Sequence, residues 1–268
     1  MAMEKGPVTS PFFSPDGRWV GFFSQGKLKK IAITGGAAVT LCDVQNPFGA
    51  TWTSDDQIYL GQGEQGVMRV SAKGGGKPET VITVNSDEAA SDPQVLPGGD
   101  GLLFTVARGP GFYQWDNAQI VAQSLKTGAR HVILQGGSDA RYVPTGYIVY
   151  AFRSTLLVAP FDLRKLQLTA AAVPIVEDVA RPTTAETGAA HFAFSSKGSM
   201  VYVQKIQGAG NRTVALVDGA GVRKPLDIPP GPYNHPRISP NGKLLVLQSD
   251  DGSNAHIWIY DMTGAAIT

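Results

Sequence analysis

Four histidines, one cysteine and 22 acidic side chains are the raw material for chemistry in this 268-residue chain. Their spacing excludes the common short catalytic signatures. The sequence has no His-Glu-x-x-His, which sets two imidazoles one helical turn apart for zinc. Nor does it have Gly-x-Ser-x-Gly, which lifts a nucleophile onto a tight elbow. His131, His191, His235 and His256 are far apart, no two at metal-ligand spacing. Cys42 stands alone, so the chain holds neither a disulfide framework nor a thiolate metal cluster. Gly61, Gly63 and Gly66 match the Gly-x-Gly-x-x-Gly pattern. A dinucleotide site needs a helix next, its N-terminus aimed at the pyrophosphate, whereas Val67 to Ser71 reads as a strand. That match is therefore a loop between strands.

One group of residues survives this filter: Asp92, Arg141, His191, His235 and Arg237. Each stands just before or at the start of the first apolar run of a repeated unit. Brought together they can hydrogen-bond a small ligand or a partner's peptide; equally, they can solvate a water-filled tunnel. A metal-dependent hydrolase or lyase with its cation in the channel is the alternative. Such a centre takes several oxygen ligands from different strands. Asp92, Asp139 and Asn234 are the oxygen donors at these positions, among bases and apolar residues. The expectation is a binding site at Asp92, Arg141, His191, His235 and Arg237, with no catalytic residue, metal or cofactor.

The elements that must position these residues announce themselves as a repeat. Ser14-Pro15-Asp16-Gly17, between two apolar runs, returns as Ser239-Pro240-Asn241-Gly242. Ser195 to Gly198 is a worn copy, and Pro97 to Gly101 is another. Thr53 to Asp56 and Pro144 to Gly146 complete the series. The last turn residues fall at 17, 56, 101, 146, 198 and 242, with gaps of 39, 45, 45, 52 and 44 residues. This is the period of a propeller blade of four strands. Asp or Asn opens a tight turn by accepting backbone N–H bonds, Pro presets φ, and Gly supplies the positive φ on which the hairpin closes. Valine, isoleucine, leucine and aromatic residues on both sides are strand formers. Phe161-Asp162, Val217-Asp218 and Tyr260-Asp261 end third strands, where the carboxylate caps the turn.

One such sheet cannot bury both faces alone, so the sheets stack radially until a ring closes. The prediction is an all-β, six-bladed propeller of four-stranded antiparallel blades around a central channel. Its blades run approximately over 11–44, 48–84, 91–136, 139–180, 189–228 and 233–268, with residues 1–10 available to complete the last blade. The first strand of each blade is innermost, so the five site residues, drawn from four blades, converge near one mouth of the channel.

The Ser-Pro-Asp-Gly and Ser-Pro-Asn-Gly hairpins, with the phrase Ile257-Trp258-Ile259-Tyr260-Asp261, resemble the repeat of the bacterial TolB-like propeller and of the related WD-type repeat. The wording is also similar to propellers on the C-terminal side of bacterial receptor-like Ser/Thr kinases, here without a kinase part. The resemblance implies a non-catalytic recognition or scaffold module that binds a protein partner or a small ligand, often outside the inner membrane.

Composition bounds the partners. Lys plus Arg at 23 against Asp plus Glu at 22 leave a charge of +1. Lys27, Lys29 and Lys30 alternate with apolar residues as the wet side of a strand would. Nucleic acid is not expected as a partner, membrane insertion is not expected either, and the expected state is a monomer. Residues 1–10 hold Glu4 and Lys5 but no apolar core, so they do not read as a signal peptide. Beginning and ending inside a blade, the chain reads as a segment of a longer gene, which leaves its compartment open.

Overall fold

The computed structural model describes residues 8–45, 47–109, 115–182, 187–195, 198–204, 212–219, 221–250, 255–262 and 265–267. No helix occurs among them, and none is long and apolar enough to cross a membrane. The chain is an all-β, six-bladed propeller. Blade one is β1 (Val8–Phe13), β2 (Trp19–Ser24), β3 (Lys27–Ala32) and β4 (Val39–Asp43). Blade two is β5 (Ala50–Trp52), β6 (Gln57–Gly61), β7 (Val67–Ser71) and β8 (Glu79–Ile82). Blade three is β9 (Glu88–Val95), β10 (Gly101–Arg108), β11 (Gln119–Ser124) and β12 (Arg130–Gln135). Blade four is β13 (Ser138–Val143), β14 (Tyr147–Phe152), β15 (Thr155–Asp162), the two-residue β16 (Gln167–Leu168) and β17 (Val173–Val176). Blade five is β18 (Phe192–Phe194), β19 (Met200–Val203), β20 (Val214–Val217) and β21 (Arg223–Pro225). Blade six is β22 (Tyr233–Ile238), β23 (Leu244–Asp250) and β24 (Ala255–Asp261).

The punctuation works as its residue types dictate. Gly17 N–H donates to Ser14 O at 2.9 Å, and Asp16 Oδ1 accepts from Ser14 Oγ at 2.6 Å and from Arg18 N–H at 3.0 Å. Ser14 Oγ in turn accepts from Trp19 N–H at 2.9 Å. The second copy repeats this atom for atom: Asn241 Oδ1 accepts from Ser239 Oγ at 2.7 Å and from Lys243 N–H at 3.0 Å, and Ser239 Oγ accepts from Leu244 N–H at 2.9 Å. Gly17 and Gly242 take φ of 69° and 72°, where a side chain would be strained. The caps expected at third-strand ends are present, since Asp162, Asp218 and Asp261 each accept a backbone N–H from the following turn. Ser196, Lys197 and the turn at Thr263-Gly264 lie outside the described residues.

Each seam between blades has its own apolar cluster, which is what a sheet with two apolar faces requires. Leu28 meets Trp52 and Ile58 at the first seam, and Val67 and Ile82 meet Leu102 and Phe104 at the second. Leu103 meets Ile148, Val149 meets Phe192, and Val201 meets Leu245 and Leu247. The ring closes where Phe13 and Val20 pack against Val246 and Ile259. A fully buried Phe or Leu of this kind contributes about 2–3 kcal/mol.

Two boundaries differ from expectation. Val8 to Ser10 do not complete the last blade: they are the first residues of β1 and pair with β2, because Val8 and Thr9 continue the apolar inner strand. The outer place in blade six is taken by the C-terminal stretch, where Tyr260 bridges Ala266 and Ile267 N–H donates to Ile259 O at 2.7 Å. Glu4 to Pro7 lie outside the described residues. The third inner strand also starts earlier than 91, at Glu88, whose buried carboxylate pairs with Arg108 at 2.8 Å and Arg130 at 3.1 Å.

Candidate functional site

The site is built by a fault that recurs in the inner strands. β1, β9, β13 and β22 each break register against their neighbour at the same level, between Thr9 and Phe12, Ser91 and Gln94, Ser138 and Arg141, and Asn234 and Arg237. Two residues then oppose one, which is a β-bulge. The first bulged residue is left-handed in every case: Ser10 at φ 49°, Asp92 at 52°, Asp139 at 49° and His235 at 47°. Three of the four are followed by proline, Pro11, Pro93 and Pro236. Non-glycine residues rarely sit there, and their clustering at one level of a channel is the mark of a site held by its surroundings. Gly49, at φ 80°, makes room for one of them, since a Cβ on it would stand 2.4 Å from Asp92 Oδ1. β18 has no bulge, and His191 precedes it beside His235 of the next blade.

The bulges set two tiers of side chains. In the inner tier Asp92 and Asp139 are buried to within 1%. Asp139 Oδ2 accepts from Ala190 N–H at 2.8 Å, and Asp92 Oδ2 accepts from the Ser91 hydroxyl. Arg141 Nη2 stands 2.6 Å from Asp139 Oδ1 and 3.7 Å from Asp92 Oδ1, so one guanidinium serves both carboxylates. Burial first, and Asp139 second, push the Asp92 carboxyl well above the usual carboxylate range, against the pull of Arg141. His191 and His235 meet edge to face at 4.9 Å between ring centres, and His191 Nδ1 accepts the His235 backbone N–H at 3.1 Å. Burial holds both imidazoles neutral: His235 falls to about 4, with Arg237 adding to the effect, and His191 lies well below its ordinary value. Neither His191 Nε2 nor His235 Nδ1 has a hydrogen-bond partner among the described residues.

Two residues beyond the bulges the chain reaches an open cavity of about 730 Å³, with Phe12, Gln94, Arg141 and Arg237 at its lining. Arg237 donates through Nη1 to Pro236 O at 2.8 Å and Phe192 O at 3.4 Å. Burial, and Arg141 after it, lower the Arg237 guanidinium to about 10, which leaves it a cation at neutral pH. Trp52, Tyr142 and Phe194 supply apolar wall, and the rim is made of the inter-strand turns at Ser54, Gly98, Pro144 and Pro240. The cavity therefore opens on the turn side, at the far ends of the inner strands rather than at their beginnings.

All five residues singled out in the sequence meet at the channel centre. Arg141 and Arg237 reach the cavity, whereas Asp92, His191 and His235 support it from beneath. Asn234 is turned to other work, accepting from the Arg212 guanidinium. The decisive partner of Arg141, Asp139, was legible only as a possible cation ligand. Its signal was the phrase it shares with its counterparts, Asp92-Pro-Gln, Asp139-Ala-Arg and His235-Pro-Arg. Among the described residues no group of three or more His, Cys, Asp or Glu is placed to hold a metal ion. The glycine pattern at Gly61 to Gly66 is a loop leading into β7, with Gly66 pressed so close to Ile82 O that a Cβ would stand 2.0 Å away. Trp115-Asp116, which has the wording of the WD dipeptide but precedes the third strand of its blade, lies in the loop before β11, where Trp115 is buried and Asp116 pairs with Arg181 at 2.9 Å.

A closed ring of six antiparallel sheets of three to five strands, with a candidate site on its axis, defines the class: this is a six-bladed β-propeller of the architecture seen in TolB. TolB from Acinetobacter baumannii superposes with a TM-score of 0.70 at 18% identity, over 97% of this chain and 62% of that one. The chain thus spans about three fifths of that TolB. Regucalcin from Agrobacterium tumefaciens, a calcium-binding protein, gives 0.68 at 14% identity, over 92% and 83% of the two chains. Oligogalacturonate lyase from Vibrio parahaemolyticus gives 0.61 at 13% identity, over 94% of this chain and 88% of the lyase. At these identities the likeness is one of fold. No family model and no curated protein matches the chain.

Proposed function

We propose that this propeller is a recognition module, taking a small ligand or the end of a partner chain into the turn-side cavity without covalent chemistry. One observation carries the reading. The paired carboxylates Asp92 and Asp139, the oxygen donors a channel cation would need, already share the guanidinium of Arg141. A divalent ion there would have to displace a buried cation from both. What this leaves open is a cavity of about 730 Å³ with two arginines and several aromatic side chains, of the size and lining of a small-molecule site. The calcium-binding and lyase names of fold relatives therefore do not carry over to these residues.

The test is a ligand-observed NMR screen of the full chain with neutral, cationic and anionic monocyclic fragments. Ala193→Trp and Thr51→Trp fill the cavity from opposite blades. Fragments that bind the wild type and are lost in both variants support the reading. Absence of any binder, or binders indifferent to both substitutions, overturns it. A melting temperature that rises with Ca²⁺ or Mn²⁺ and falls back with chelator would favour the hydrolase or lyase alternative.

A further inference from the structure

The charges at the cavity floor are unequal in what they are bound to. Arg141 is committed to Asp139 and leans on Asp92. Arg237 is not: its hydrogen bonds go to the main-chain carbonyls of Pro236 and Phe192, through one nitrogen. Among the described residues no carboxylate lies within 4 Å of it. A guanidinium carries five N–H donors in a planar fork, so most of this fork makes no hydrogen bond among the described residues. A partly buried cation of this kind, facing an open cavity, is what a bound anion would complete.

From this, and resting on the cavity reading above, we infer that the cavity recognises a carboxylate borne on a flat apolar body, the carboxylate held by the Arg237 fork and the body lying among Phe12, Trp52 and Tyr142. The wall suits such a body because aromatic rings pack on flat groups in offset or edge-on contact. A carboxylate fits the charge better than a phosphate dianion does. Among the described residues the floor offers one uncommitted cation, which leaves a second buried negative charge without a partner there. A cationic ligand would face two guanidinium groups.

The chemistry has two sources, a free aryl carboxylic acid or the C-terminal carboxylate of a peptide ending in an aromatic residue. Isothermal titration of the full chain with phenylacetate, phenylacetamide, phenylphosphate, and a tripeptide ending in Phe, as free acid and as amide, separates them. Phenylacetate is expected to saturate one site, with the amide and the phosphate at least tenfold weaker. A free-acid tripeptide tighter than phenylacetate assigns the site to a chain terminus, and a weaker one to a small acid. Arg237→Met should cost phenylacetate at least tenfold and leave phenylacetamide unchanged, with Arg237→Lys in between. If Arg237→Met does not fold, Thr51→Glu, at a half-buried lining position, places a competing carboxylate in the same cavity and should weaken phenylacetate equally. Acid and amide of equal affinity, or phosphate tighter than acid, overturns the inference. Fragments that are neutral, indifferent to Arg237→Met, yet lost in Ala193→Trp would sink the carboxylate and spare the cavity.

Discussion

The hairpin turns and the inner-strand bulges are two repeated features of the same blades, and they repeat in opposite ways. The turns at Ser14–Gly17 and Ser239–Gly242 keep their residues and hydrogen bonds, closing on themselves within five residues. The bulges keep only their backbone, a left-handed residue two positions before the register resumes, and change the side chain from Ser10 to Asp92, Asp139 and His235. Turn groups find their partners locally. Bulge groups also reach the next blade, as Asp139 does in the Ala190 N–H and Asp92 in the Arg141 guanidinium. Repetition of side chains thus marks the scaffold, and repetition of backbone with altered side chains marks the site.

The largest way to break this contrast is Asp139→Ala. Removing one partner of a buried ion pair costs about 3–5 kcal/mol, and urea denaturation should show a loss of that size. If the variant is no worse than a turn variant, the distinction between the regions fails.

Titration separates the regions next. His235 is depressed from 6.5 to about 4, so the unfolded chain binds its proton first. Stability from this group is whole above pH 6.5 and is lost as pH falls toward 4, by about 3 kcal/mol at most. His191 acts with the same sign. Burial by itself would raise Glu88, but the Asn85 N–H and the guanidinium groups of Arg108 and Arg130 outweigh it and hold it at about 2. Its contribution is present above about pH 4.5 and is lost between there and 2, again by about 3 kcal/mol. Stability measured against pH should therefore fall in two stages, the channel first and the blade-three sheet second. His235→Gln is expected to shrink the upper stage alone, His191 keeping the remainder, and Glu88→Gln to flatten the lower; a single stage insensitive to His235→Gln would contradict the site's burial.

The smallest effect is the sharpest on equivalence. Ser14→Ala and Ser239→Ala each remove a hydroxyl that both donates and accepts within its turn, at about 1 kcal/mol apiece. Unfolding midpoints should agree between the two variants, and a clear difference would show that the two copies are not physically the same unit.

Much of the propeller was legible because its causes are local. Gly17, Gly242 and their turn partners act within a few residues, so their recurrence exposed the blade period and the inner strands. Asp92, Arg141, His191, His235 and Arg237 could be placed on the axis for the same reason. Closure was not legible: Val8 to Ser10 and Ala265 to Ile267 both had strand character, and only packing of Phe13 and Val20 on Val246 and Ile259 assigned them to different blades.

Residue order thus determined that six hairpin-led sheets exist and which strands face inward, since turn chemistry and apolar alternation are short-range. Only the closed ring decided that Arg141 also leans on Asp92 of the preceding blade while Arg237 is left to the cavity, and that the cavity opens on the turn side. Those outcomes depend on distances between residues of different blades, set by how the sheets pack around the axis and invisible in any one stretch of chain.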